Sequence, residues 1–221
     1  MNQLKHDKLR ANILGIRLIA NVSTELIKGM EFDEKYRSIG IITADSDDVL
    51  YTALDEATKA SEVDVVYARS MYAGASNAST KLTGEVIGIL GGTNPAEVRS
   101  GIKAVENYFK NGDCFISAND DDSINYYAHT VSRTGSYLSS VAGINEGEPL
   151  AYLIAPPLEA VYGLDAALKA ADVRLVTMFA PPSETNYGGG LLTGTQSACY
   201  AACTAFAQAV ETIAEVNNQY E

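Results

Sequence analysis

The hydrophobic pattern of the first half of the chain predicts short strands that alternate with helices. Short apolar or β-branched runs are typical of strands, and longer amphipathic segments are typical of helices. We expect Asp47 or Asp48 to cap the first helix, and Asn94, followed by Pro95, to cap the second. The predicted segments are the strands SIGIITA (38–44), VDVVYARSMY (63–72) and GEVIGILGG (84–92), and helices over about 49–60 and 95–109.

The second half of the chain gives the same series of elements. A strand-plus-helix segment precedes each series, over 12–30 and 113–140. Strands separated by helices with short connections indicate an α/β fold, an α+β sandwich with helices packed on a sheet. The segments of the second series are LAYLIAP (150–156), LEAVYGLDAALKAA (158–171), VRLVTMFA (173–180), GGGLLTG (188–194) and TQSACYAACTAFAQAVETIAE (195–215).

The two series are copies of one repeat. YTALDEATKASEVDVVYARS (51–70) agrees with VYGLDAALKAADVRLVTMFA (161–180) at an offset of 110 positions, and the matches include Asp55/Asp165. GILGGTNPA and GLLTGTQSA agree at an offset of 102 positions. Two matching segment pairs whose offsets differ by a single change of length are hard to obtain by chance. We therefore predict two tandem domains, over 1–111 and 112–221.

The charge of the chain restricts its partners. The chain has 221 residues and a formal net charge of -12, and after residue 110 only Arg133, Lys169 and Arg174 are basic. Nucleic acids and anionic membranes need clustered Lys and Arg, so we expect neither as a partner, whereas a cationic ligand fits. No apolar run approaches the length of a membrane span, and the polar N-terminus does not resemble a secretory signal. We expect a cytoplasmic protein.

Several short motifs suggest chemistry, but each has a simpler explanation. Asp45-Ser46-Asp47-Asp48 lacks the glycine of a calcium loop, so helix capping explains it better. GGTNPAE lacks the residues of a nucleotide-binding loop, and SRTGSYLSS lacks a nucleophile elbow. The cysteines, among them Cys199 and Cys203, are expected to be reduced thiols that pack a helix. We predict no catalytic residue, no metal site and no cofactor.

Two loops at the same place in the repeat suggest a function. PPSETNYGGG (181–190) has prolines at one end, glycines at the other and a polar tip between them. The counterpart in the first copy, MYAGASNASTKLTG (71–84), is longer and equally rich in small and polar residues. Such compositions suit loops that move as a unit.

Several long strings resemble one protein family. The strings are TADSDDV, DEATKASEVDVVYARSMYAGA, GEVIGILGGTNPAE, SRTGSYLSS, APPLEAVYGLDAALKAADVRLVT and PPSETNY, with ACYAACTAFAQAV in the tail. They resemble the shell proteins of the ethanolamine-utilisation bacterial microcompartment, which consist of two tandem, circularly permuted microcompartment (BMC) domains. The resemblance covers nearly the whole chain. It implies a structural shell protein without enzymatic activity, located in the shell of a bacterial microcompartment.

The resemblance also implies an assembly with a pore. Three chains with two domains each would form a pseudohexameric homotrimer, which would tile beside other shell proteins. The loops Met71–Thr83 and Pro181–Gly190 would open or close a central pore and control metabolite transport. The pore and gating residues implied in this way are Tyr72 in the first loop and Ser183, Glu184, Thr185, Asn186 and Tyr187 in the second.

A small acidic pore that binds ethanolamine is a further implication of the resemblance. The positions that match are Asp47, Glu85 and Phe115, with Asp48 and Asp113 as neighbours. An ammonium ion is favoured by two carboxylates and by an aromatic face. One alternative is a soluble sensor of small amines that does not tile. Another is an amine-processing enzyme, which the missing catalytic constellation disfavours.

Overall fold

The computed structural model describes residues 6–71, 85–181, 183 and 185–216, and these form two compact units. The N-unit consists of Ala11–Asp113 together with Gly135–Leu138. The C-unit consists of the described parts of Met1–Arg10, Cys114–Thr134 and Ser139–Glu221. The boundary between the two repeats, at 111 and 112, remains a prediction about the duplication, because a compact unit can include short segments from the other repeat.

The N-unit contains a four-stranded antiparallel sheet in the order β2-β3-β5-β4. Helices α2 and α3 pack on its strands. Its elements are β2 (Ile13–Ile19), α1 (Thr24–Gly29), β3 (Ser38–Ala44), α2 (Asp47–Ala60), β4 (Val63–Met71), β5 (Glu85–Gly92) and α3 (Pro95–Asn111).

The C-unit contains a six-stranded sheet in the order β1-β6-β7-β8-β10-β9. Helices α5 and α6 pack on β8 and β10, and a core rich in alanine and leucine fills the space between them. Its elements are β1 (Lys8–Leu9), β6 (Phe115–Ser117), β7 (Asn125–Val131), β8 (Leu150–Ala155), α5 (Pro157–Ala170), β9 (Val173–Phe179), β10 (Gly188–Gly194) and α6 (Gln196–Val216). Helix α4 (Ser136–Ala142) begins in the N-unit segment and ends in the C-unit.

The structure confirms the α/β class and most of the predicted elements. The cap of α3 is as predicted, because the Asn94 side chain accepts hydrogen bonds from the N–H groups of Ala96 and Glu97. The cap of α2 is not: the helix begins at Asp47 and Ser46 is its N-cap, so both aspartates lie in the first turn. Their negative charges interact favourably there with the positive end of the helix dipole.

Two further predictions about the second repeat need correction. The segment before β8 contains two strands, β6 and β7, before helix α4, where the pattern indicated a single strand before the helix. The loop predicted over Pro181–Gly190 is shorter, because its glycines begin β10. Gly189 has a φ of 155°, and a Cβ added there would lie 1.9 Å from the Leu153 carbonyl oxygen. Glycine is therefore required by close strand packing at this position, rather than by a mobile hinge.

Candidate functional site

The segment before α2 places three carboxylates in the interior of the N-unit. Asp45, Asp47 and Asp48 are all buried. Asp45 accepts hydrogen bonds from the Asn12 backbone N–H at 2.6 Å and from its side-chain amide at 2.9 Å. Buried carboxylates need such donors, since desolvation of an unpaired charge is costly. Asp45 is therefore a structural link between the start of β2 and the end of β3.

Asp47 is held by a side chain from the neighbouring strand. The Ser70 hydroxyl of β4 donates to Asp47 Oδ2 at 2.5 Å, and the Tyr51 hydroxyl lies 2.9 Å from the same Ser70 oxygen. The Asp48 N–H donates to Asp47 Oδ1 at 2.9 Å. Sequence reasoning missed Ser70 and Tyr51. The available signal was a serine near the end of β4, in a repeat whose α2 begins with two aspartates.

Glu85 lies at the same end of the sheet as Asp47, but on the other face. Ser70 pairs with Val86 and Met71 pairs with Glu85 in the antiparallel register, and paired residues share a face. The face of Ser70 is covered by α2. Because successive side chains alternate, Glu85 belongs to the opposite face. On that face Ile87 packs against a cluster of buried residues that includes Ile39 and Ile89. A ligand that contacts both carboxylates would therefore sit across the strand ends.

Phe115 belongs to the C-unit and lies inside it. Its ring centroid is 5.3 Å from that of Tyr127 and 6.2 Å from that of Tyr187, in an edge-on arrangement. Phe115 is 0% exposed. Contact between its ring and a ligand would therefore require the aromatic packing around it to open. Of the neighbours, Asp48 is buried beside Asp47 and Asp113 is exposed between α3 and β6.

The described part of the second loop is a compact turn. The Ser183 N–H donates to the Tyr187 carbonyl at 3.3 Å, and the Ser183 and Thr185 hydroxyls are 3.2 Å apart. Asn186 has a φ of 67°, a left-handed conformation that asparagine tolerates. The Tyr187 hydroxyl donates to Asn125 Oδ1 at 3.2 Å, which fixes one end of the turn to β7.

The remaining pore predictions concern residues that the structure does not describe. Glu184, Tyr72 and the rest of the first loop beyond Met71 lie outside the described residues. Within the described residues, no group of three or more His, Cys, Asp or Glu side chains is arranged to hold a metal ion. None of the helices in the same part of the chain is long and apolar enough to cross a membrane.

A fourth buried carboxylate lies further along α2. Asp55 accepts hydrogen bonds from the N–H groups of Gly135 at 2.7 Å and Leu138 at 2.8 Å, at the start of α4. Lys59 Nζ lies 3.4 Å from Asp55 Oδ2. Burial raises the pKa of Asp55, while the two N–H groups and Lys59 oppose that rise. The sequence pointed to Asp55 only as a repeated residue, because a contact 80 positions away leaves no local pattern.

Comparison with known proteins agrees with this architecture. Residues 38–119 match the BMC domain. The chain is 66% identical over 211 residues to the bacterial microcompartment shell protein EutL of Clostridium perfringens, covering 96% of this chain and 97% of that protein. It is 54% identical over 208 residues to EutL of Escherichia coli, covering 94% and 95%. The crystal structure of EutL from Clostridium perfringens has a TM-score of 0.93 at 64% identity, covering 98% of this chain and 99% of that one.

The two-unit fold and these matches define the class of the protein as bacterial microcompartment shell proteins. Within that class, the chain belongs to the EutL family. The resemblance inferred from the sequence strings is thereby confirmed, and the place of the protein is the microcompartment shell.

Proposed function

We propose that three copies of this shell protein form a pseudohexameric tile with a gated central pore, and that its acidic site binds ethanolamine and helps to control metabolite transport. The repeat supports the assembly, because three chains with two similar domains supply six similar sectors. On this proposal the protein works by enclosure and controlled passage, without catalysis. The remaining partners are other shell proteins at the edges of the tile.

The single observation that carries the assembly is the exposed apolar face of α5. Leu158 is 64% exposed, and Val161 and Tyr162 are each 50% exposed. These residues are spaced three and four positions apart, so they lie on one face of the helix. A contiguous apolar face of this kind marks an interaction surface. The corresponding residues of α2 are covered within the N-unit, and a second copy of the chain is the partner that the repeat suggests.

The acidic site supports a small cationic ligand. Asp47 and Glu85 bring two carboxylates to one end of the β4–β5 pair, and the net charge of the chain is -12. In a small amino alcohol, the hydroxyl oxygen can accept a hydrogen bond while the ammonium donates hydrogen bonds to the carboxylates. Phe115 and the turn at Ser183–Tyr187 remain assigned to the ligand site and the pore through the family resemblance.

The assembly is tested by mass and by microscopy. Native mass spectrometry of the purified chain should give three times the 23.5 kDa of the chain, and negative-stain images at high concentration should contain hexagonal sheets. A monomer that forms no sheets would contradict the assembly. A monomer or dimer that still binds ethanolamine would favour the alternative, a sensor of small amines.

The ligand is tested by calorimetry. Ethanolamine should bind to the wild-type protein, and Asp47→Asn or Glu85→Gln should weaken the binding at least about tenfold, since each removes one charged partner of the ammonium. Asp165→Asn is the matched control, because it removes an exposed carboxylate of the second repeat. Equal affinities in all four proteins would remove Asp47 and Glu85 from the ligand site.

A further inference from the structure

Three side chains of the N-unit form a hydrogen-bond chain that ends on Asp47. Tyr51 contacts Ser70, and Ser70 contacts Asp47, over 2.9 Å and 2.5 Å. An ionised carboxylate has no proton to give, so Ser70 must donate its only proton to Asp47. Tyr51 must then donate to the Ser70 oxygen. Both hydroxyls therefore point their dipoles toward the carboxylate, and each strengthens the next hydrogen bond.

We propose that Ser70, supported by Tyr51, is a positioning residue that keeps the Asp47 carboxylate ionised and oriented for a small cation. The proposal rests on the ligand site described under the proposed function. Ser70 donates a hydrogen bond to Asp47 Oδ2, and the Asp48 N–H donates one to Oδ1. The carboxylate therefore cannot rotate without losing a hydrogen bond. A fixed carboxylate binds an ammonium better than a mobile one, because less freedom is lost on binding.

The hydrogen-bond chain belongs to the first repeat alone. At the offset of 110 positions, Val161 and Pro157 of α5 stand in place of Tyr51 and Asp47. Ala180, directly after β9, stands in place of Ser70. None of these replacements has a polar side chain. The fold therefore does not need a hydroxyl and a carboxylate at these positions. Their joint presence in one copy fits a role in that copy's site.

Asp47 is buried in a segment that carries two other carboxylates, and hydrogen-bond donors stabilise a buried negative charge. Asp45 and Asp48 are buried carboxylates of the same segment, and like charges at short range disfavour each other. Tyr51 and Tyr137 are the phenols on this side, and Glu85 lies on the opposite face of β5. Burial raises the pKa of Tyr137, and Tyr51, Asp47 and Asp55 raise it further. Ser70 thus supplies a side-chain donor beside a segment that carries three buried carboxylates.

The experiment compares four substitutions in the full-length protein. Ser70→Ala removes the donor, Ser70→Thr keeps a hydroxyl, and Tyr51→Phe removes only the supporting proton. Ser38→Ala is the matched control, since the buried Ser38 hydroxyl lies in the same sheet and donates to the Ala20 carbonyl at 2.7 Å. Ethanolamine affinity is measured by calorimetry. The titration of the Asp47 carboxyl carbon is followed by NMR in the ligand-free protein.

We expect Ser70→Ala to weaken ethanolamine binding about three- to tenfold, which is the range for a lost hydrogen bond to a charged group when water partly replaces it. Tyr51→Phe should have a smaller effect, and Ser70→Thr should retain most of the affinity. The midpoint of the Asp47 titration should move to higher pH in Ser70→Ala but not in Ser38→Ala, because the ionised form has lost a donor.

The two readouts separate this proposal from the proposed ligand. If ethanolamine does not bind to the wild-type protein, the ligand assignment fails, and the NMR titration alone decides the role of Ser70. An Asp47 midpoint that is the same in Ser70→Ala, Ser38→Ala and wild type would overturn the proposal. Ethanolamine binding that is equally strong in Ser70→Ala and wild type would overturn it as well.

Discussion

Helices α2 and α5 occupy the same place in the two repeats, but one pair of equivalent faces differs in polarity and exposure. In α2 this face is polar and buried or half-buried, whereas in α5 it is mostly apolar and exposed. Asp55 and Asp165 are identical in sequence, yet Asp55 is 0% exposed and the Asp165 side chain is 61% exposed. The equivalent pairs are Asp48/Leu158, Tyr51/Val161, Thr52/Tyr162, Asp55/Asp165 and Thr58/Leu168.

The difference follows from what each helix meets. The segment Gly135–Leu138 presents the backbone N–H groups of a helix start to α2, and Asp55 and the Thr58 hydroxyl accept hydrogen bonds from them. A helix start needs acceptors, because its first N–H groups have no partner within the helix. The matching face of α5 is exposed within the described residues of the C-unit, and its apolar side chains suit association with another chain. One duplication thus gives one internal contact and one surface.

Among the substitutions that test this comparison, one at Asp55 should change the free energy of unfolding most. Asp55→Ala leaves the Gly135 and Leu138 N–H groups buried without their acceptor, which should lower the free energy of unfolding by ~2–4 kcal/mol. Asp165→Ala is the matched control. It removes only an exposed ion pair with Lys169, and it should change that free energy by less than ~0.5 kcal/mol. Urea denaturation of both variants measures the difference, and equal losses would contradict the different roles of the two aspartates.

The next largest effect concerns the face of α5. Val161→Glu places a charge in the middle of the proposed interface, and a buried unpaired charge should weaken the proposed trimer at least about tenfold. Leu14→Glu in β2 is the control, since Leu14 is a comparably exposed apolar residue of the N-unit. Sedimentation velocity should detect dissociation in the first variant alone. If the Val161→Glu variant still formed a stable trimer, α5 would be excluded from the interface.

The contrast between α2 and α5 also marks the limit of sequence reasoning. Apolar periodicity and the match of Asp55 with Asp165 predicted both helices within one or two residues, because burial of an apolar stripe is a local property. The same match gave no reason to expect different surroundings for the two aspartates. Likewise, Ser70 reaches Asp47 only because β4 and α2 pack together. Contacts between distant segments depend on the fold, so a single sequence does not contain them as a pattern.

A smaller effect on the free energy of unfolding is expected where α5 packs against α6. Gly163 of α5 corresponds to Ala53 of α2, and a Cβ added at Gly163 would lie 2.7 Å from Phe206 Cδ2 in α6. Phe206 is fully buried, so its ring cannot move aside. Gly163→Ala should therefore cost about 1 kcal/mol net, since overpacking outweighs the gain in helix propensity. In a Phe206→Leu background the cost should disappear, and a cost that persists there would exclude the ring as its cause.

The smallest expected effect is a pH dependence that belongs to Asp55 and not to Asp165. Burial raises the pKa of Asp55 above its ordinary value of 3.8, so the folded state holds this proton more tightly than the unfolded state. The free energy of unfolding should therefore fall as pH rises from that value through the raised pKa. Asp55→Asn removes the titrating group and should reduce this fall, while Asp165→Asn, which removes one carboxylate from the equivalent position, should leave it in place. Urea denaturation across the acidic range compares the three proteins. If the slope changes equally in both variants, general charge repulsion accounts for it, and the buried contact of Asp55 with the start of α4 does not.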